Sequence, residues 1–111
     1  MTDEDRLYKY YRIVKTTEIP EGERLMFEIE NLPIVLFHVN GELLATGDIC
    51  THDGGEIGDG ELDGDVIICP RHGARFDIHT GKALSLPAVI GIPVYPVRIM
   101  EDFIEVGVPE N

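Results

Sequence analysis

The sequence predicts an all-β fold, with many short strands closing into a sandwich or barrel. Three observations carry this. Short runs rich in β-branched and aromatic residues recur along the chain, and several alternate apolar and polar positions with period two. Twelve glycines and seven prolines punctuate those runs. No window sustains the periodicity of an amphipathic helix over ten residues.

The elements follow in order. Residues 1–6 are polar and read as a frayed end. "YYRIV" (10–14) reads as a strand. In "RLMFEIEN" (24–31), Leu25, Phe27 and Ile29 alternate with Met26, Glu28 and Glu30, which predicts one buried face and one mostly acidic face. "IVLFHV" (34–39) and "ELLAT" (42–46) flank Asn40 and Gly41, a pair that tolerates the positive φ of a type I′ hairpin turn. "DVIICP" (65–70) reads as a buried strand, and "ARFDIH" (74–79) as another that ends in a "TGK" turn. "VYPVRIM" (94–100) and "FIEVGV" (103–108) flank "ED" as a last hairpin.

The 111 residues suit a single domain spanning 1–111. Hydrophobic residues make up 43% of the chain, enough for a modest core. Nine basic residues against 21 acidic ones give a net charge of -12. That argues against nucleic acid and anionic membrane surfaces, both of which reward Lys and Arg. It allows either plain solubility or electrostatic steering toward a basic partner face. The charged N-terminus lacks the apolar run of a secretion signal, and no apolar stretch approaches the length that spans a bilayer. The expectation is a reducing cytoplasm, where two cysteines serve as ligands or buried thiols rather than as a disulfide.

Those cysteines sit in a notable pattern: Cys50-x-His52, sixteen intervening residues, then Cys69-x-x-His72. One Cys–His pair is unremarkable, because a free cysteine often acts as a small buried hydrophobe. Two such pairs, each in a glycine-flanked loop, point to a metal. A structural zinc site also takes two cysteines and two histidines, but its familiar pattern pairs Cys with Cys and His with His. One Cys and one His per loop suits a two-iron cluster, with both thiolates on one iron and both imidazoles on the other.

The segment "CTHDGG…CPRHGARFDIHTGKAL" resembles the Rieske proteins, particularly the small Rieske-type ferredoxins of bacterial ring-hydroxylating dioxygenases and related oxygenases. "LPA" (86–88) and "YPVRI" (95–99) resemble the proline-containing loop beside the cluster and the strand after it. The resemblance extends over about residues 7–108. It implies a Rieske-type antiparallel β sandwich or barrel base carrying a small cluster-binding subdomain of two loops, at about 47–86. It also implies one [2Fe–2S] cluster per chain, with Cys50 and Cys69 on the inner iron and His52 and His72 on the outer one. The implied role is a monomeric electron carrier, not itself an enzyme. It would take single electrons from a flavin-containing ferredoxin reductase and pass them to a terminal oxygenase.

Departures from the high-potential respiratory members tune this expectation. Their extra disulfide cysteines match Gly55 and Arg71 here. Their two hydroxyl-bearing positions after the second histidine match Ala74 and Phe76. Missing donors toward cluster sulfur imply a potential near the low end of the Rieske range, which runs from roughly −150 to +300 mV. Arg71 reads most plainly as a solvated loop residue; alternatively its charge stabilises the reduced cluster or meets an acidic spot on a partner. His38 and His79 read as structural. The acidic residues Asp48, Asp53, Glu56, Asp59, Glu61, Asp63 and Asp65 read as a solvated, partner-facing rim, because their spacing is too irregular for a calcium loop. The glycine cluster at 54–64 has no dinucleotide-binding pattern. Two other readings are the small subunit of an assimilatory nitrite reductase, which commonly lacks the ligands, and a zinc-stabilised β interaction module.

Overall fold

The computed structural model describes residues 7–51 and 53–110. Among the described residues it is built from ten strands, and its one helical piece is a 3-10 turn at Thr16–Glu18. In chain order the strands are β1 (Tyr8–Lys15), β2 (Arg24–Ile29), β3 (Leu32–Val39), β4 (Glu42–Gly47), β5 (Glu61–Asp63), β6 (Val66–Ile68), β7 (Arg75–Asp77), β8 (Val94–Tyr95), β9 (Val97–Met100) and β10 (Phe103–Pro109). They form three antiparallel sheets, ordered β1-β10-β9, β2-β3-β4-β8 and β5-β6-β7. Among the described residues, no helix is long and apolar enough to cross a membrane.

Strand β3 organises the interior. Ile34, Val35, Leu36 and Phe37 are all fully buried. Successive side chains of a strand point to opposite faces, so this run serves two cores at once. Ile34 and Leu36 pack with Ile29, Ile104, Val106 and Val108 between the two larger sheets. Val35 and Phe37 face the other way and pack with Ile57, Ile67, Phe76 and both cysteines. The four-stranded sheet is thus the floor of the small three-stranded sheet as well as half of a sandwich.

The alternation in β2 is as expected, with Leu25, Phe27 and Ile29 on the sandwich core. The Asn40–Gly41 turn forms with both φ values positive, at 52° and 77°. Strand β2, however, stops at Ile29. Glu30 and Asn31 take φ of 52° and 68° and make a second two-residue turn that pairs Ile29 with Leu32. The sequence carries no glycine there to mark it.

The stretch 94–100, expected as one strand, is two. Val94 and Tyr95 pair with β4, whereas Val97–Met100 pair with β10. Pro96 has no N–H to give to either ladder, so the chain can change sheets at this residue; its carbonyl accepts from Gly107 N at 2.9 Å. The glycine cluster at 54–64 contains β5, a strand that the sequence did not mark. That strand is only three residues long and pairs with β6 through the turn at Gly64 and Asp65.

Candidate metal centre

Two loops built to one backbone plan meet above Phe37. The first, Cys50 to Gly55, follows β4; the second, Cys69 to Ala74, joins β6 to β7. In each, the cysteine N–H donates to the carbonyl five residues on: Cys50 to Gly55 at 2.7 Å and Cys69 to Ala74 at 2.8 Å. In each, the cysteine carbonyl accepts from the glycine four residues on: Gly54 at 2.8 Å and Gly73 at 3.0 Å. Gly54 and Gly73 have φ of 76° and 73°, a conformation that favours glycine. The sequence motif "C…G" is therefore a closed turn whose backbone groups satisfy one another.

Both cysteines are buried within the core beneath the three-stranded β5-β6-β7 sheet and form no disulfide. Their Sγ atoms and a carboxylate oxygen of Asp53 all lie within 4.8 Å of one another. His72 is more exposed, with 54% of its side chain open to solvent and Nδ1 at 3.4 Å from Asp53 Oδ2. His52, the fourth expected ligand, lies outside the described residues. Two soft thiols converge from opposite loops on the apolar side and an imidazole stands toward solvent. This donor set fits a group needing thiolate on its inner side and nitrogen on its outer side.

Of the expected solvated acidic rim, Asp53, Glu56, Asp59, Glu61, Asp63 and Asp65 are exposed, but Asp48 is not. Asp48 is only 4% exposed, and its Oδ1 accepts from Ile57 N at 2.9 Å and Gly58 N at 2.6 Å. Buried among apolar side chains, those two N–H groups need an acceptor, and Asp48 supplies it. Asp53 receives Arg71 through Nε at 2.6 Å and Nη2 at 3.1 Å, and also accepts from Gly55 N at 2.9 Å. The Arg71 guanidinium, then the Gly55 N–H, hold the Asp53 carboxyl well below the usual carboxylate range. Asp53 in turn raises Arg71 further above its already high value. Arg71 is therefore an interloop tie, which the solvated-residue reading missed.

A third segment completes the rim. The Leu84 N–H donates to Arg75 O at 2.8 Å, beside the second loop, and the Thr51 hydroxyl in the first loop donates to Ile90 O. Ala88 anchors this segment in the core beneath. Leu86, Val89 and Ile90 are 78%, 76% and 65% exposed, so the surface next to the loops is apolar. His38 and His79 stand apart from the Cys50–Cys69 group: His38 Nδ1 is 2.7 Å from Ile19 O, and His79 Nε2 is 3.4 Å from Glu42 Oε1.

The Rieske [2Fe-2S] domain profile matches residues 9–96. The chain belongs to the Rieske [2Fe-2S] domain family. This Rieske chain is 43% identical over 91 residues to the ferredoxin component of the naphthalene 1,2-dioxygenase system of Pseudomonas aeruginosa, covering 82% of this chain and 88% of that one. It is 40% identical over 95 residues to the 3-phenylpropionate/cinnamic acid dioxygenase ferredoxin subunit of Shigella boydii, covering 84% and 88%. Among solved structures, the Sphingomonas yanoikuyae B1 ferredoxin superposes with a TM-score of 0.82 at 32% identity, covering 91% of this chain and all of that one. A chain in the complex of reduced oxygenase and oxidised ferredoxin of carbazole 1,9a-dioxygenase superposes with a TM-score of 0.84 at 28% identity, covering 92% and 95%. A Rieske-type [2Fe–2S] cluster is accordingly the cofactor, in place of the zinc of the alternative reading.

Proposed function

We propose that this Rieske chain is the ferredoxin component of a multicomponent oxygenase system, carrying single electrons from a flavin-containing reductase to a terminal oxygenase. The convergence of the two buried thiols beneath an exposed His72 is the observation that carries this reading. Cys50 and Cys69 would hold the inner iron, and His52 and His72 the outer one. The cluster supplies one-electron redox chemistry; the chain supplies ligation, burial and a docking face. Burial of both cysteines keeps water from the sulfur side. The exposed His72 ring gives a way out toward a partner's cofactor, and the apolar rim beside it can exclude water on contact.

Ala74 and Phe76 are fully buried and carry no hydroxyl to stabilise added negative charge. A potential near the low end of the Rieske range follows from this. The names of the relatives support an oxygenase partner. The flavoprotein reductase, the monomeric state, the cytoplasmic location and the single domain over 1–111, with its cluster-binding part at about 47–86, belong to the same proposal. The test is stopped-flow reduction of the holoprotein by a flavin-dependent ferredoxin reductase, followed by oxidation on mixing with a terminal oxygenase. With a net charge of -12, steering by a basic partner predicts rates that fall with added salt. A protein that is never reoxidised by any such oxygenase would sink the reading.

A further inference from the structure

Arg71 reaches out of one ligand loop and spends its hydrogen bonds on the other. Its backbone lies between Cys69 and His72. Its Nε and Nη2 grip both carboxylate oxygens of Asp53, and Nη1 donates to Glu56 O at 2.8 Å. The guanidinium lies flat on Gly55: a Cβ placed there would stand 2.5 Å from Arg71 Cζ. Asp53 is itself fixed within the first loop by the Gly55 N–H. Every partner named here belongs to the first loop or its immediate continuation.

We propose that Arg71 and Asp53 form an ionic strap across the mouth of the site, and that this strap sets how long the two loops keep their metal. The inference rests on the metal-centre reading above. Arg71 is a positioning residue, acting on Cys50 and Cys69 through the loops that carry them. Exposed ion pairs commonly contribute little. A two-pronged carboxylate contact supplemented by a backbone carbonyl is the stronger geometry, and it demands the planar fork of arginine. Gly55 belongs to the device, since only a residue without a side chain leaves room for the guanidinium.

The experiment follows loss of visible absorbance from the purified holoprotein in excess iron chelator. Arg71→Gln and Asp53→Asn are each expected to speed release about three- to tenfold, the scale of one well-formed charged pair. The double variant should release no faster than the faster single one, because the two residues act as a unit. Arg71→Lys keeps the charge without the fork and should restore only part of the retention. Gly55→Ala changes no charge but pushes the guanidinium aside, and should release like Arg71→Gln. Each accelerated variant should also broaden the electron paramagnetic resonance signal of the reduced protein, reporting loosened loop positions. Arg75→Gln, which removes a pair with Asp63 outside the loops, should match the parent.

Release at the parent rate in Arg71→Gln and Gly55→Ala overturns the strap, as do single effects that multiply in the double variant. A parent protein purified without iron and sulfide overturns the metal-centre reading instead, and the strap with it.

Discussion

Asp48 offers a sharp test of how the floor of the site is held. One of its oxygens, Oδ1, accepts both the Ile57 and Gly58 N–H bonds, in a place where neither N–H reaches solvent. Replacing Asp48 with Ala removes two charge-assisted bonds and leaves two buried donors unpaired. Hydrogen bonds to charged groups contribute about 1.5–3 kcal/mol each, so the expected loss is about 3–6 kcal/mol. A domain stable by about 5–15 kcal/mol loses much of its margin. Asp48→Asn keeps a carbonyl oxygen able to stand at the same point, and should cost about 1 kcal/mol. Urea unfolding at neutral pH, with the midpoint and slope compared across the three proteins, measures both. The reasoning is refuted if the alanine variant unfolds within about 0.5 kcal/mol of the parent, or if asparagine costs as much as alanine.

Two further perturbations address the loops and the base. At Gly60, a Cβ would lie 1.9 Å from the carbonyl oxygen of Ile68, the residue before Cys69. Gly60→Ala must therefore displace backbone; about 1–3 kcal/mol of stability and part of the bound iron should be lost, read by unfolding and metal analysis, and unchanged values for both would count against the close packing of β5 on β6. Glu21 accepts the Gly41 and Asn40 N–H groups at the hairpin turn, led by Gly41, and these lower its carboxyl pKa. A folded value below the unfolded one, about 4.3, gives stability that is present above that pH and lost as pH falls through the folded value. Stability below pH 4.3 should therefore fall more steeply in the parent than in Glu21→Gln, and parallel curves from unfolding at several pH values would contradict the assignment.

Much of this architecture was legible in the sequence because it rests on strong local rules. Asn40–Gly41 can adopt positive φ at low cost, and Leu25, Phe27 and Ile29 can share a face only in a strand. The run from Ile34 to Phe37 read only as an arm of a hairpin; that it divides between two cores depends on what packs on each side, which no local pattern encodes. The Glu30–Asn31 turn was missed because its positive φ is enforced by the register of β2 on β3 rather than by a glycine. Strand β5 was missed because three residues between glycines carry almost no periodic signal.

At the site, the Cys–His spacing and the family resemblance pointed to two loops, and the structure brings Cys50, Cys69 and His72 of those loops close to Asp53. Charge was the weaker guide. Asp48 looked like a surface residue because the sequence does not say which backbone donors lie beneath it, and the Asp53–Arg71 pair was missed because the sequence does not say which loop stands opposite. The resemblance of "LPA" set this segment beside the cluster, and the bonds from Arg75 and Thr51 to it agree, but that Leu86, Val89 and Ile90 stand exposed there is seen only in the structure.

On the function proposed above, two loops on a β base hold a Rieske cluster through Cys50, His52, Cys69 and His72. Metal and sulfide analysis of anaerobically purified protein, with electron paramagnetic resonance after reduction, tests it most directly. The account predicts a reddish-brown protein with iron and acid-labile sulfide in equal amounts and a Rieske-type signal that Cys69→Ser abolishes. Colourless protein holding zinc, with no sulfide and no signal, would contradict it.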